Sequence, residues 1–247
     1  MIPGKFISVA VMLALLATTS YAKRSPQTNA PGFALVELFT SEGCSSCPAA
    51  EAVLADVHQK YKDNVYVMEF HVDYWNYLGW EDVYSAKTYS QRQQRYVQAL
   101  HLNSAYTPQA VVNGKSEVVG SNRQRLQALI DDNLGRAQTG QIQLSAKASG
   151  GNVVIAYTVA NAGNAVLNIA LVQKKALTDV RKGENSGKKL AHLNVVRDLK
   201  TLPLAQSSGS LSIPLLKGMQ ASGFTIIAWT QDKKTLVISD AAETAIN

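Results

Sequence analysis

The chain has 247 residues, 46% hydrophobic and 17% charged, with a net charge of +6. This balance is sufficient to build a core and excludes intrinsic disorder, collagen-like repeats and a heptad rod. No apolar run of about 20 residues occurs in the body of the chain, which excludes a polytopic membrane protein, and the modest basic excess is a poor match to nucleic acid.

Residues 1–22 read as a secretory signal peptide. Lys5 supplies the positive start, Phe6–Ala17 is apolar apart from Ser8, and Ser20-Tyr21-Ala22 is a small-x-small cleavage site. The apolar run is too short to span a bilayer comfortably, so no stable membrane insertion is expected after cleavage. The mature chain would begin near residue 23 in an oxidising compartment, periplasmic or extracellular.

Phe33–Thr40 is a short run of β formers and predicts a buried strand. Ser41–Pro48 follows and carries the only two cysteines, Cys44 and Cys47. Ala50, Val53, Leu54, Val57 and Tyr61 then keep helical spacing, with Pro48 in the first turn, where its missing N–H costs no bond. Val65–Val72 predicts a second strand. Asp73–Asp82 is an aromatic-rich loop, and Val83 to about Leu100 a second helix. Thr107-Pro108 ends that helical stretch. Asn113-Gly114, flanked by two short apolar runs, signals a hairpin. Ser121-Asn122-Arg123-Gln124 reads as a capping box that opens a third helix. The order over 33–137 is β-α-β-α-β-β-α, which is the element order of a thioredoxin-like domain and predicts an α/β fold for residues 23–139.

After Gly140 the pattern changes to short β-type runs at 142–148, 153–160, 166–172, 210–215, 224–230 and 235–239. These predict an antiparallel, sandwich-like all-β domain over residues 140–247. Residues 173–207 read as a long connection with little regular pattern. The basic excess is densest there, with eight basic against three acidic side chains from Lys174 to Lys200. This is either a solvated surface or a patch for an acidic partner.

The chemistry centres on Cys44 and Cys47. A thiol at a helix N-terminus faces the positive end of the macrodipole and unpaired N–H groups, which favours thiolate. A second cysteine one turn on can resolve a mixed disulfide. The pattern predicts thiol–disulfide exchange with a protein or small thiol, Cys44 attacking and Cys47 resolving, with no organic cofactor. A purely structural staple is a weaker reading, because a bridge enclosing two residues constrains little of the unfolded chain. Thr107 and Pro108 are candidates to present a substrate strand. Glu37, on the first strand, is a candidate proton acceptor for the resolving thiol. Trp75 and Trp80, within the cluster Tyr74, Trp75, Tyr77, Trp80 and Tyr84, are either a core plug or an apolar platform for a substrate. His71 and Asp73, closing the second strand, could polarise the site or ligate a metal. Two alternatives stay open. Cys44, Cys47 and His71 together could hold copper in a metallochaperone-like module. Or the cysteines could be permanently paired in a non-catalytic binding protein.

The stretches VELFTSEGCSSCPAAE, FHVDYWNYLGWED, YTPQAVVNG and RKGENSGKKLAHLNVVRDL resemble a bacterial family of secreted proteins of unknown function with a thioredoxin-like fold. The resemblance covers nearly the whole mature chain. It implies that fold for the first half and matches Cys44, Cys47 and Pro108 to a dithiol and loop proline. Ser45-Ser46 stands where that pattern has Gly-Pro, and no tryptophan precedes Cys44. The last stretch lies in the basic connection and holds Arg181, Glu184, Asn185, His192 and Arg197. It is either a solvated interdomain loop or a segment that folds back over the dithiol, with its cations stabilising Cys44.

Overall fold

Ala34–Thr40 (β1) and Val65–His71 (β2) are mostly apolar, with both faces covered, and they pair in parallel from Ala34↔Val65 to Thr40↔His71. Parallel neighbours need a crossover, and Cys47–Lys60 (α1) supplies it. Asp73–Leu78 is a short 3₁₀ helix, followed by Lys87–Ala99 (α2), the hairpin Gln109–Val112 (β3) and Ser116–Val119 (β4), and Arg123–Leu134 (α3). Asn113 and Gly114 turn the hairpin with φ of 49° and 65°, the conformation a primed turn requires. A Cβ on Gly114 would lie 1.9 Å from the Leu236 carbonyl oxygen, so only glycine fits. The Asn122 side chain accepts the Arg125 N–H at 3.1 Å, so the cap of α3 falls one residue after the expected Ser121.

The computed structural model describes Met1 and residues 32–136, 141–160 and 164–247. Apart from Met1, the expected signal segment, 1–22, lies outside the described residues. The remaining strands are Gln141–Ser149 (β5), Asn152–Ala160 (β6), Ala165–Asp179 (β7), Lys189–Pro203 (β8), Ser208–Pro214 (β9), Phe224–Asp232 (β10) and Ile238–Ala245 (β11). Four of them join the strands of the first half, and three form a separate sheet. Eight strands make one sheet in the order β11-β10-β7-β8-β2-β1-β3-β4, and β5-β6-β9 make a second. The expected irregular connection is mostly β7 and β8, two 15-residue strands paired from Val166↔Pro203 to Asp179↔Lys189. A register shift at Leu171/Val172 and a left-handed Asn194 (φ 53°) break the alternation that would have marked them as strands.

Each face of the large sheet has its own cover. One face carries Phe39, Phe70, Val172, Ile227 and Trp229 in one cluster with Tyr89 and Tyr96 of α2. This core draws on both sides of residue 139. The other face is covered by α1 and α3 over β1 to β3, and by β5-β6-β9 over β7 and β10.

Glu37 sits among the α2-facing side chains, and Arg92 grips its carboxylate through Nε and an Nη2 bond of 2.9 Å, while the Tyr96 hydroxyl donates to it. Arg92 also donates to Gln231 Oε1 on β10 at 3.1 Å, and that oxygen takes a bond from Asn168 on β7 at 3.1 Å. A buried charge is tolerated only when paired, so this network fixes α2 between the halves. Arg92→Ala leaves Glu37 buried and unpaired; a loss of about 3–5 kcal/mol is expected in urea denaturation.

Asp240 on β11 is buried, and neither of its oxygens has a well-formed hydrogen bond. Burial pushes its carboxyl from the ordinary 3.8 up to about 6. The folded state therefore holds this proton more tightly than the unfolded chain, and stability falls as pH rises between those two values. Asp240→Asn is expected to raise the melting temperature at neutral pH, with the gain vanishing on acidification below the lower value.

Candidate functional site

β1 ends at Thr40 and α1 begins at Cys47, so residues 41–46 form a loop at the C-terminal end of the parallel strands, where open α/β sheets place ligands. Cys44 and Cys47 are joined by a disulfide with Cα atoms 5.4 Å apart. Cys44 precedes the helix and Cys47 is its first residue. The Cys44 sulfur carries no hydrogen, so the Ser46 hydroxyl donates to it at 3.4 Å. Ser45 and Ser46 are exposed, but Cys44 is 1% exposed and Cys47 0%. The attacking sulfur expected at the surface is covered.

The cover is the tip of the β7–β8 hairpin, residues 180–188. Buried Asn185 donates to the carbonyls of Glu42 and Cys44, both at 2.9 Å. Glu184 accepts the Ser45 N–H at 3.0 Å, and hydrogen bonding from the Ser45 side chain, then from its backbone, lowers its pKa. The segment does fold back over the dithiol, but through an amide and a carboxylate. Arg181 is exposed, and Arg197 donates to Gln173 at 2.7 Å and stacks over Tyr84 at 4.8 Å. Cationic stabilisation of Cys44 by these two arginines is not assembled.

Beside this loop, on the α1 face, lies a buried cluster that the sequence reading did not assemble. Period-two alternation sends Glu69 and His71 of β2 to that face, with Val65 and Val67. His192 of β8, Glu51 of α1, Glu42 of the dithiol loop and Asp82 complete it; all six residues are buried. His71 Nδ1 lies 2.7 Å from Asp82 Oδ2, and its Nε2 lies 3.7 Å from Glu69 Oε2. His192 reaches Glu51 Oε2 at 3.0 Å through Nδ1 and Glu42 Oε1 at 3.3 Å through Nε2. The two rings meet edge to face at 4.9 Å. Burial opposes charge on His71, yet Asp82 outweighs it and raises the pKa; Glu42 and Glu51 do the same for His192. Burial, with Glu51 beside it, raises Glu69. Burial also works against the Asp82 carboxylate, but His71 holds its pKa below the ordinary value. Two ionisable residues two apart in an otherwise apolar strand, Glu69 and His71, were the available signal.

The other expected site residues divide between places. Trp75 packs on Gly43, where a Cβ would meet the Trp75 Cβ at 3.0 Å, and its Nε1 donates to Thr107 Oγ1 at 2.8 Å. Trp80 Nε1 donates to Glu42 Oε2 at 2.7 Å. Both half-buried indoles therefore border the dithiol loop. The Thr107–Pro108 bond is cis, and Pro108 is buried at the start of β3. Glu37 faces the opposite side of the sheet from α1, committed to Arg92, so no proton relay from Glu37 to Cys47 is assembled. Asp73 accepts from Ser90 of α2, away from the histidine cluster. The two sulfurs are bonded to each other, and His71 groups with Glu69 and His192 and not with them, so the copper ligand set Cys44, Cys47 and His71 is not assembled.

The family model described as a protein of unknown function, DUF1223, matches residues 35–231. The chain belongs to this family. A crystallographically solved protein of Agrobacterium tumefaciens is similar at 30% identity and a TM-score of 0.63, covering 86% of this chain and 93% of its own. HBP35 of Porphyromonas gingivalis is similar in fold, with a TM-score of 0.60 at 16% identity over 88% of this chain and 76% of its own. No curated protein matches the chain. This DUF1223 member therefore combines a disulfide, a hairpin cover and a buried acid–histidine cluster within one site.

The cover makes a kinetic prediction. Asn185→Ala removes two hydrogen bonds of about 0.5–1.5 kcal/mol each. Reduction of the Cys44–Cys47 disulfide by dithiothreitol is expected to speed up roughly tenfold or more, read by thiol labelling over time.

Proposed function

We propose that this is a secreted, extracytoplasmic protein with a thioredoxin-like first half, which performs thiol–disulfide exchange through Cys44 and Cys47 under control of the hairpin cover. The observation that carries this reading is the two-residue disulfide between β1 and α1. It encloses too short a loop to stabilise the chain much, and its cover is held largely by side-chain hydrogen bonds to loop backbone. The parallel β1-α1-β2 unit and the antiparallel β3–β4 hairpin preceded by Pro108 support the thioredoxin-like arrangement. The described residues contain no helix long and apolar enough to cross a membrane.

In the reduced form the Cys44 thiolate attacks a partner disulfide, forming a mixed disulfide and releasing one partner thiolate. The Cys47 thiolate then attacks the Cys44 sulfur and releases the second. The partner gains two electrons, and the pair returns to the disulfide; the reverse sequence oxidises a dithiol. Trp75 and Trp80 form the apolar border against which a partner rests once the hairpin tip lifts. Thr107 and Pro108 lie beside Trp75, where a partner strand would pass.

Burial of both sulfurs favours one other reading, a permanent disulfide in a non-catalytic binding protein. The reduction potential separates the two, since structural disulfides lie below about −300 mV. A potential above that value is expected. Reduced protein should be alkylated at Cys44 before Cys47, and insulin reduction should be lost in Cys44→Ser. A lower potential, or a reduced Cys44 inert to alkylation even in Asn185→Ala, gives the permanent-disulfide reading the better claim.

A further inference from the structure

The cluster behind the dithiol loop has the form of a ligand site. His71 is fully buried, and its Nδ1 is oriented by Asp82 Oδ2 at 2.7 Å. Its Nε2 points toward Glu69 and has no hydrogen-bond partner. Glu69 Oε1 is likewise buried without a partner, while Oε2 is fixed by the Leu193 N–H at 3.2 Å. His192 Nε2 is oriented by Glu42, leaving Nδ1 3.8 Å from Glu69 Oε2 and 3.0 Å from Glu51 Oε2. Orphaned polar atoms at the centre of a buried, otherwise satisfied network demand an occupant.

We propose that Glu69, His71 and His192 bind a divalent first-row transition-metal ion of the zinc class. One donor atom from each lies within 4.8 Å of the other two. Ligands about 2.0–2.2 Å from a tetrahedral ion stand about 3.3–3.6 Å apart, so the side chains need close in only modestly. Each imidazole is backed by a carboxylate, Asp82 for His71 and Glu42 for His192, the arrangement that orients metal-binding histidines. Two imidazoles and a carboxylate suit zinc, cobalt or iron better than calcium or magnesium, which prefer all-oxygen sites.

The site also has an entrance. A cavity of about 680 Å³ lies between α1 and the β7–β8 hairpin, lined in part by Pro48, Leu177, Glu51 and His192. Glu51, held by the Thr40 hydroxyl at 2.6 Å, lines this groove beside His192, 3.0 Å from its Nδ1. It supplies a fourth donor or leaves that position to the groove. The inference stands on atoms that the dithiol reading does not use.

The test is zinc titration of the metal-stripped, disulfide-bonded mature chain by calorimetry and equilibrium dialysis, with Co²⁺ absorption as a report of ligand type. One ion per chain is expected. Glu69→Gln and His71→Ala should weaken binding by about 100-fold or more, and Asp82→Asn by about 10- to 100-fold. The Cys44→Ser/Cys47→Ser double variant should bind as wild type does, a result that holds whether or not the dithiol is redox-active. Failure of the wild-type chain to take up zinc, cobalt, nickel, iron or manganese overturns the proposal. So does unchanged binding in folded Glu69→Gln, the nearly isosteric variant, or loss of binding in the cysteine double variant.

Discussion

An ionised side chain inside a protein survives only if another charge or a set of oriented dipoles replaces the water it gave up. The large sheet carries two such groups of side chains, one on each face, and both are completed across the chain's midpoint. On the α2 face, Glu37 of β1 is neutralised by Arg92, which is itself steadied by Gln231 of β10. On the α1 face, Glu69 and His71 of β2 meet His192 of β8. Gln231 thus completes the first network from the second half, and His192 completes the second. This requirement, together with pairing of β8 beside β2, makes the halves one structure.

That join sets the character of the dithiol. The β7–β8 hairpin enters the sheet through its apolar inner half and projects its polar outer half past the edge of α1. The projection brings Asn185 and Glu184 onto the loop that holds Cys44, and His192 into the cluster behind it. The covering element and the buried cluster are thus parts of one hairpin. The tip holds the sulfur covered through side-chain hydrogen bonds, while the part that carries His192 is paired in the β7–β8 ladder. Glu42 links the two regions, its carbonyl bound by Asn185 and its carboxylate shared between His192 and Trp80.

Much of the local structure was legible from residue order. The apolar runs marked β1 and β2, the period of Ala50, Val53, Leu54 and Val57 marked α1, and Asn113-Gly114 marked the β3–β4 turn. The dithiol loop was legible because cysteine is rare and its spacing is chemically specific. The long hairpin was not. Its outer half sets adjacent lysines (Lys174-Lys175, Lys188-Lys189) among mixed apolar and polar residues, and the register shift and Asn194 interrupt the stem, so neither stretch carries a clean strand period. The role of Glu37 stayed open between proton acceptor and salt bridge for a related reason: alternation fixes that successive side chains oppose each other, without saying which face a given one takes.

Residue order alone determined that a cysteine pair would sit between a buried strand and an amphipathic helix, because local spacing and turn chemistry act over a few residues. Tertiary structure alone decided that the pair is covered, that Glu37 is spent on Arg92, and that Glu69, His71 and His192 converge. These depend on which element lies beside which, and so on contacts between residues 55 positions apart for Glu37 and Arg92 and more than a hundred for the cover and the histidine pair.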